Sequence, residues 1–246
     1  MKSSEDWGRL GGALIAALAI VAVGVVAPRM LGFAAGPEAE IITQVKSRER
    51  EGLKLSLPGL STPLTAKEAF FDRITVRAEP GGQRAEALAT LDFTGTLGDT
   101  DISSLGVEQI PFVLRDGSWV PEGQLAPRLA AVVRALEARR RALDAGDAAA
   151  LAQLTASPEA DAGAEERDAG GSVGVGQPEM ETLLALKRRR YRAEAWFIRL
   201  ERDEASVTEH WHLEGDLPSR PVDQQGESRL SLVRRGEEFL FSSPLR

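Results

Sequence analysis

The sequence predicts an α+β protein with one N-terminal transmembrane helix followed by two helix-plus-antiparallel-sheet modules. Three observations carry this. An uncharged apolar run, Leu10 to Pro28, occurs once in the 246 residues. The remainder repeats one order of elements, helix first and strands after. Those strands alternate apolar and polar residues between Gly-containing turns, which is the pattern of a half-buried sheet. The divisions are a short inner tail 1–9, the span 10–28, a first module 37–121 and a second module 124–246 containing a loop 157–178.

The run Leu10–Pro28, LGGALIAALAIVAVGVVAP, is long enough to cross a hydrocarbon layer of about 30 Å as a helix. Pro28 and Arg29 separate it from the weak small-residue site at Gly32-Phe33-Ala34, so we expect a retained anchor, not a cleaved signal peptide. Lys2 and Arg9 precede it and Glu38 and Glu40 follow, which places the N-terminus inside and the body outside, with Lys46 and Arg48 diluting the asymmetry. Cysteine is absent, which removes disulfides and thiolate chemistry and suits a bacterial envelope. The expected location is the bacterial inner membrane, single-pass. A net charge of −7 and a pI near 5.1 exclude the basic surface that a nucleic-acid partner requires.

In the first module, Pro37 opens a helix with Ile41, Ile42 and Val45 on one face. Thr65-Ala66-Lys67-Glu68 reads as a capping box for a short helical turn before Phe70 and Phe71. Ile74 and Val76 lead to the turn Pro80-Gly81-Gly82, and Ala87, Ala89, Leu91 and Phe93 alternate as a strand. A loop follows, then an extended Val107–Arg115, a hairpin turn at Asp116-Gly117, and a return strand with Trp119 and Val120.

The second module starts with a longer helix, in which Leu129, Val132, Val133, Leu136 and Leu143 recur at helical spacing and Gly146 is the stop. Asp147 is the N-cap of a short helix carrying Leu151 and Leu154. The acidic, Gly-rich stretch 157–178 offers few apolar side chains to bury and is expected to be mobile. Its Gly170–Gly176 segment lacks the Lys and Ser or Thr of a phosphate loop. Met180, Leu183 and Leu184 mark another helix, with Lys187–Arg190 near its C-terminal end. Four strands complete the copy, over Tyr191–Glu201, Ala205–Glu214, Ser228–Arg234 and Glu237–Phe241.

Side by side, LDFTGTLGD leading to VLRDGSWV matches HWHLEGDLP leading to LVRRGEEFLF. This order resembles the nuclear transport factor 2-like fold, a cone of curved sheet wrapped on helices. Leu136–Leu154, LEARRRALDAGDAAALAQL, is similar to the first helix and Gly-Asp turn of polyketide-cyclase-like members of that superfamily. The resemblance covers most of 124–244. For 37–121 a cystatin-like sheet fits nearly as well as a cone, because the second long helix is missing. A short inner tail, one span and outer modules of this kind are also similar to the bitopic scaffold subunits of type IV secretion and conjugation machines.

The superfamily includes enzymes, ligand binders and scaffolds, so function must be argued from a site. Enzymes of this fold need an Asp or His base facing a Tyr or acid inside the cone. Tyr191 is the single tyrosine, and His210 and His212 are the only histidines. In the strand 205–214, Val207, Trp211 and Leu213 share one face, and Thr208, His210 and His212 the other. Two histidines about 7 Å apart can share a metal, but no third ligand stands out, and both are expected to meet solvent. No catalytic set is complete, and neither metal nor cofactor is expected. The expected function is a membrane-anchored, non-enzymatic interaction or assembly subunit, with membrane lipid through the anchor and protein partners or self-association. The alternative is a small-molecule-binding or enzymatic domain using the second module's cavity, with Tyr191, Trp196, His210 and His212 near it.

Overall fold

The computed structural model describes residues 36–51, 53–57, 60, 62–156 and 180–242. The expected anchor at 10–28 and the loop 157–178 lie outside these residues. Among the described residues no helix is long and apolar enough to cross a membrane. Helix α1 (Pro37–Glu51) precedes β1 (Lys54–Leu55), β2 (Leu64–Ala78), β3 (Arg84–Leu97), β4 (Thr100–Arg115) and β5 (Ser118–Pro121). Helices α2 (Pro127–Ala145), α3 (Ala148–Gln153) and α4 (Met180–Ala185) lead to β6 (Lys187–Glu201), β7 (Glu204–Leu217), β8 (Arg220–Arg235) and β9 (Glu238–Phe241).

The repeat is close. Strands β2 to β5 are 15, 14, 16 and 4 residues long, and so are β6 to β9. Strand for strand, Gly95 of β3 corresponds to Gly215 of β7, and Gly106 of β4 to Gly226 of β8. The two copies are joined by parallel pairing of Asp101–Gly106 on β4 with Ala195–Leu200 on β6, giving one nine-stranded sheet, β1-β2-β3-β4-β6-β7-β8-β9 with β5 on β4. Gly106 makes this junction possible, because a Cβ there would stand 2.3 Å from the Leu200 carbonyl oxygen. Beyond Gly106 the strands diverge, and the Arg128 guanidinium fills the fork. It donates to Val107 O on β4 at 2.5 Å and to Glu201 O on β6 at 3.3 Å.

Burial is continuous across the repeats. A single cluster runs from Ile41 and Val45 through Phe71, Phe93 and Phe112 to Trp196, Leu230 and Phe241. A smaller one joins Leu143, Leu151 and Leu183 to Tyr191, Trp211 and Leu213. The modules expected at 37–121 and 124–246 are therefore repeats of a strand pattern that share a core. Helix α2 lies on β4, β6 and β9, touching both copies.

Local signals behave as their chemistry dictates at the end of α2. Gly146 ends the helix at φ 67 in the left-handed region, where glycine avoids the Cβ clash. The Asp147 side chain then caps α3 by accepting the Ala150 N–H at 2.9 Å. Four expectations are corrected. Thr65–Glu68 is strand, not a helical turn, since Thr65, Ala66 and Glu68 pair with β3 and the ladder outweighs a local cap. Strand β4 begins at Thr100, directly after the turn at Gly98-Asp99, so the expected loop before Val107 is sheet. Lys187–Arg190 opens β6 instead of ending a helix, and β8 starts at Arg220, well before Ser228.

Candidate functional site

The four sequence-selected residues fall on two faces. A register shift between Ala193 and Ala195 inserts one residue into β6, so Tyr191 and Trp196 both point into the core although they differ in parity. Both are fully buried. Between them, on β7, lies Glu209, also fully buried. The Tyr191 hydroxyl donates to its Oε2 at 2.9 Å, and Trp196 Nε1 donates to its Oε1 at 3.1 Å. Arg139 of α2 donates from Nη1 to the same Oε2 at 2.5 Å. Trp211 stacks on Tyr191, with centroids 6.1 Å apart.

Three donors thus occupy the two oxygens of one sealed carboxylate. Burial pushes the Tyr191 phenol well above its ordinary pKa, and the Glu209 charge pushes it the same way. For Arg139, burial works against the charge, but Glu209 and Tyr191 outweigh it and hold the guanidinium above its usual value. Tyr191 is therefore neutral and Arg139 a cation, and neither has a proton free to give at ordinary pH. As arranged, the group ties α2 to β6 and β7 and presents no reactive atom to an opening.

Glu209 and Arg139 were not among the sequence candidates, yet the sequence held a signal for each. The alternation that puts Val207, Trp211 and Leu213 inside also puts Glu209 inside. The apolar stripe Leu129, Val132, Val133 and Leu136 leads to Arg139 one turn on. A charged residue on each buried stripe, of opposite sign, is the sign of a buried pair.

A second buried carboxylate supports the other end of α2. Ala126 offers that helix no side-chain cap. Glu108 of β4 takes this role, accepting the Arg128 N–H at 2.9 Å and the Leu129 N–H at 2.8 Å. Burial raises its pKa to about 7, against the lowering effect of those two N–H groups and of Arg128 and Arg234.

His210 and His212 lie on the opposite face of the sheet. His210 has a half-exposed side chain and packs against the Phe197 ring at 5.2 Å. His212 departs from the expectation of a solvent-facing residue: its side chain is 14% exposed, and its Nε2 is 2.6 Å from Asp223 Oδ1. It faces a polar cleft of about 440 Å³ bordered by Asp99, Glu137, Arg140, Arg192 and Glu194. Glu137 is held below the usual carboxylate range: burial opposes this, and hydrogen bonds from Arg140 and Arg141 prevail. Among the described residues no group of three or more His, Cys, Asp or Glu is arranged to hold a metal ion. The candidate set is thus divided, with Tyr191 and Trp196 in a closed core cluster and His210 and His212 on the outer sheet face.

No family model matches the chain, and no curated protein matches it. Solved structures do. A candidate dehydratase from the nuclear transport factor 2-like family from Streptomyces avermitilis matches at 18% identity and a TM-score of 0.37, over 46% of this chain and 90% of that one. A candidate ketosteroid isomerase from Shewanella frigidimarina matches at 17% identity and a TM-score of 0.34, over 46% and 90%. A nuclear transport factor 2-like protein involved in plasmid conjugation matches at 9% identity and a TM-score of 0.28, over 75% and 77%. The chain is similar to nuclear transport factor 2-like proteins, and at these identities the likeness is one of fold.

Proposed function

We propose that this chain is an envelope protein held in the bacterial inner membrane by Leu10–Pro28, with its body outside the cytoplasm, acting as a non-enzymatic interaction or assembly subunit. The observation that supports this reading is the contrast between the two faces of the sheet. On the helix-covered face both buried carboxylates, Glu108 and Glu209, are held by internal donors, and the hollow of about 560 Å³ beside α2 and α3 is lined mainly by small and apolar side chains. The other face carries Phe70, Leu105 and Phe197, each about half exposed. The pairings Phe70↔Asp92, Asp92↔Leu105 and Ser103↔Phe197 set them in neighbouring rows. Leu105 and Phe197 border a trough of about 630 Å³ rimmed by Asp92, Arg199 and Arg229. Large apolar side chains within a polar rim are the usual anatomy of a protein interface.

The full chain should therefore stay with membranes through carbonate extraction, and cross-linking there should trap protein partners. Leu105→Arg with Phe197→Arg should remove those partners while the melting temperature holds. Unchanged partners in the double variant, or recovery of the chain in the soluble fraction, would count against the reading. The alternative, a small-molecule site, draws on the polar cleft beside His212. It predicts an activity lost in His212→Ala and kept in the Leu105/Phe197 variant.

A further inference from the structure

The nine-stranded sheet ends in two long strands whose outer edges are only partly paired among the described residues. On β2, β1 covers only Leu64 and Thr65. The rest of that edge is poorly suited to another strand. Two register shifts bend it, Arg73 sits at φ 48, and the Glu49 carboxylate takes the Phe71 N–H at 2.8 Å. Such irregularities protect an edge. On β8, β9 covers Leu232 to Arg235, and the Ser242 N–H donates to Ser231 O. From Arg220 to Leu230 no described strand pairs with the outer edge, and the β7–β8 register has no shift. This edge is regular from Val222 to Leu230, and Pro221, which by parity also faces outward but has no N–H to give, ends the usable stretch.

The repeat shows how such an edge is used. In the first copy, Asp101–Gly106 on β4 accept β6 as a neighbour, with Gly106 admitting the close approach. The corresponding stretch of the second copy is Pro221–Gly226, with a glycine at the same place.

We propose that the outer edge of β8 pairs antiparallel with β8 of a second copy of this chain, about a two-fold axis at Gly226, joining the two sheets into one. Ser231 O faces β9, so the alternate residues Arg229, Glu227, Gln225 and Asp223 direct their N–H and C=O groups to the same side. With Gly226 opposite Gly226 of the partner copy, these four residues fall into hydrogen-bonded pairs, Asp223 with Arg229 and Gln225 with Glu227, each made twice. On the covered face Val222 meets Leu230. The nearest in-phase registers, slipped by two residues either way, are worse: centring on Glu227 opposes it to itself, and centring on Gln225 sets Asp223 against Glu227. Opposite charges directly across a ladder stabilise it, and like charges do the reverse. Asp223 and Arg229 are both largely exposed, at 78% and 75% of their side chains, and so can reach a partner. An isologous contact of this kind closes at two copies.

This deepens the assembly reading by naming one partner surface, and the two fail separately. The test uses the full chain in detergent micelles, with mass measured by light scattering and sedimentation. The expected result is a dimer that Asp223→Arg or Arg229→Asp dissociates by at least tenfold in Kd, and that the double swap Asp223→Arg/Arg229→Asp restores. Because the chain has no cysteine, register is checked with single replacements: a mixture of Gln225→Cys and Glu227→Cys chains should form a disulfide-linked heterodimer faster than either alone. A monomer at all concentrations, or a dimer indifferent to both swaps, overturns the β8 pairing while leaving heterologous partners of the outer face intact. A charge-swappable dimer in a chain that traps no other protein supports the pairing and overturns the broader reading.

Discussion

Replacing Arg139 by Met should cost far more than its surface-lying neighbours would, and the structure sets the scale. Arg139 and Glu209 side chains are 3% and 0% exposed, so Arg139→Met leaves a sealed carboxylate with only the Tyr191 and Trp196 donors. Breaking one partner of a buried pair costs about 3–5 kcal/mol. Glu209→Gln should cost a similar amount, because it strands the guanidinium instead. The double variant Arg139→Met/Glu209→Gln removes both charges, keeps an acceptor for Tyr191 or Trp196, and should cost only about 2 kcal/mol. Urea unfolding of the full chain in micelles, followed by tryptophan fluorescence, reads this directly. With an m-value of about 3 kcal/mol/M, each single variant should lower the midpoint by about 1–1.7 M and the double by clearly less than either. Independent sites add to within about 0.5 kcal/mol. If the double variant lost the sum of the two singles, the pair would not be coupled and the account of the cluster would be wrong.

Glu108 gives a pH signature. Its folded pKa of about 7 exceeds the ordinary value of 4.5, so between these pH values the folded state holds a proton that the unfolded state has released, and stability falls as pH rises. The loss relative to Glu108→Gln should total about 3 kcal/mol by pH 7 and then level off; parallel pH profiles for the two proteins would refute it. Gly106→Ala, whose Cβ would lie 2.3 Å from Leu200 O, should cost about 3 kcal/mol or prevent folding. Gly117→Ala, with open space but φ 78, should cost only about 1 kcal/mol; equal melting shifts would contradict the junction argument. His210→Ala should stay within about 0.5 kcal/mol, while His212→Ala loses the Asp223 contact and about 1 kcal/mol, a difference that thermal melts resolve.

Much of the architecture was legible because periodicity reports burial. The faces of β3 and β7, the α2 stripe, Gly146 and Asp147 all follow from spacing and cap chemistry. What escaped notice depends on neighbours distant in sequence. Thr65–Glu68 carries a helical cap signature, but β3 offers it a ladder that a local window cannot display. The β6 bulge, which turns Trp196 inward, leaves no mark in the alternation until Glu209 is known to face it. His212 read as solvent-facing because its parity was right. Its shielding comes from Asp223 and Glu194, one on the next strand and one on the strand before.

The shared use of α2 bears on how the chain is made. Strands β2 to β5 leave the ribosome before this helix, yet β4 is covered by it and is fixed at its far edge by β6. Until then Ile102, Ile110 and Phe112 lack part of their cover, and the β4 edge that β6 will occupy stands open. A nascent chain stalled with Pro121 just clear of the exit tunnel would thus present a sticky template to its neighbours on the same message. Arrest with Leu200 already clear of the exit tunnel would not, because by then both the roof and the adjoining strand have emerged. Ribosome-bound intermediates of these two lengths should differ sharply in chaperone binding and in protease sensitivity, with the change falling between Pro121 and Leu200.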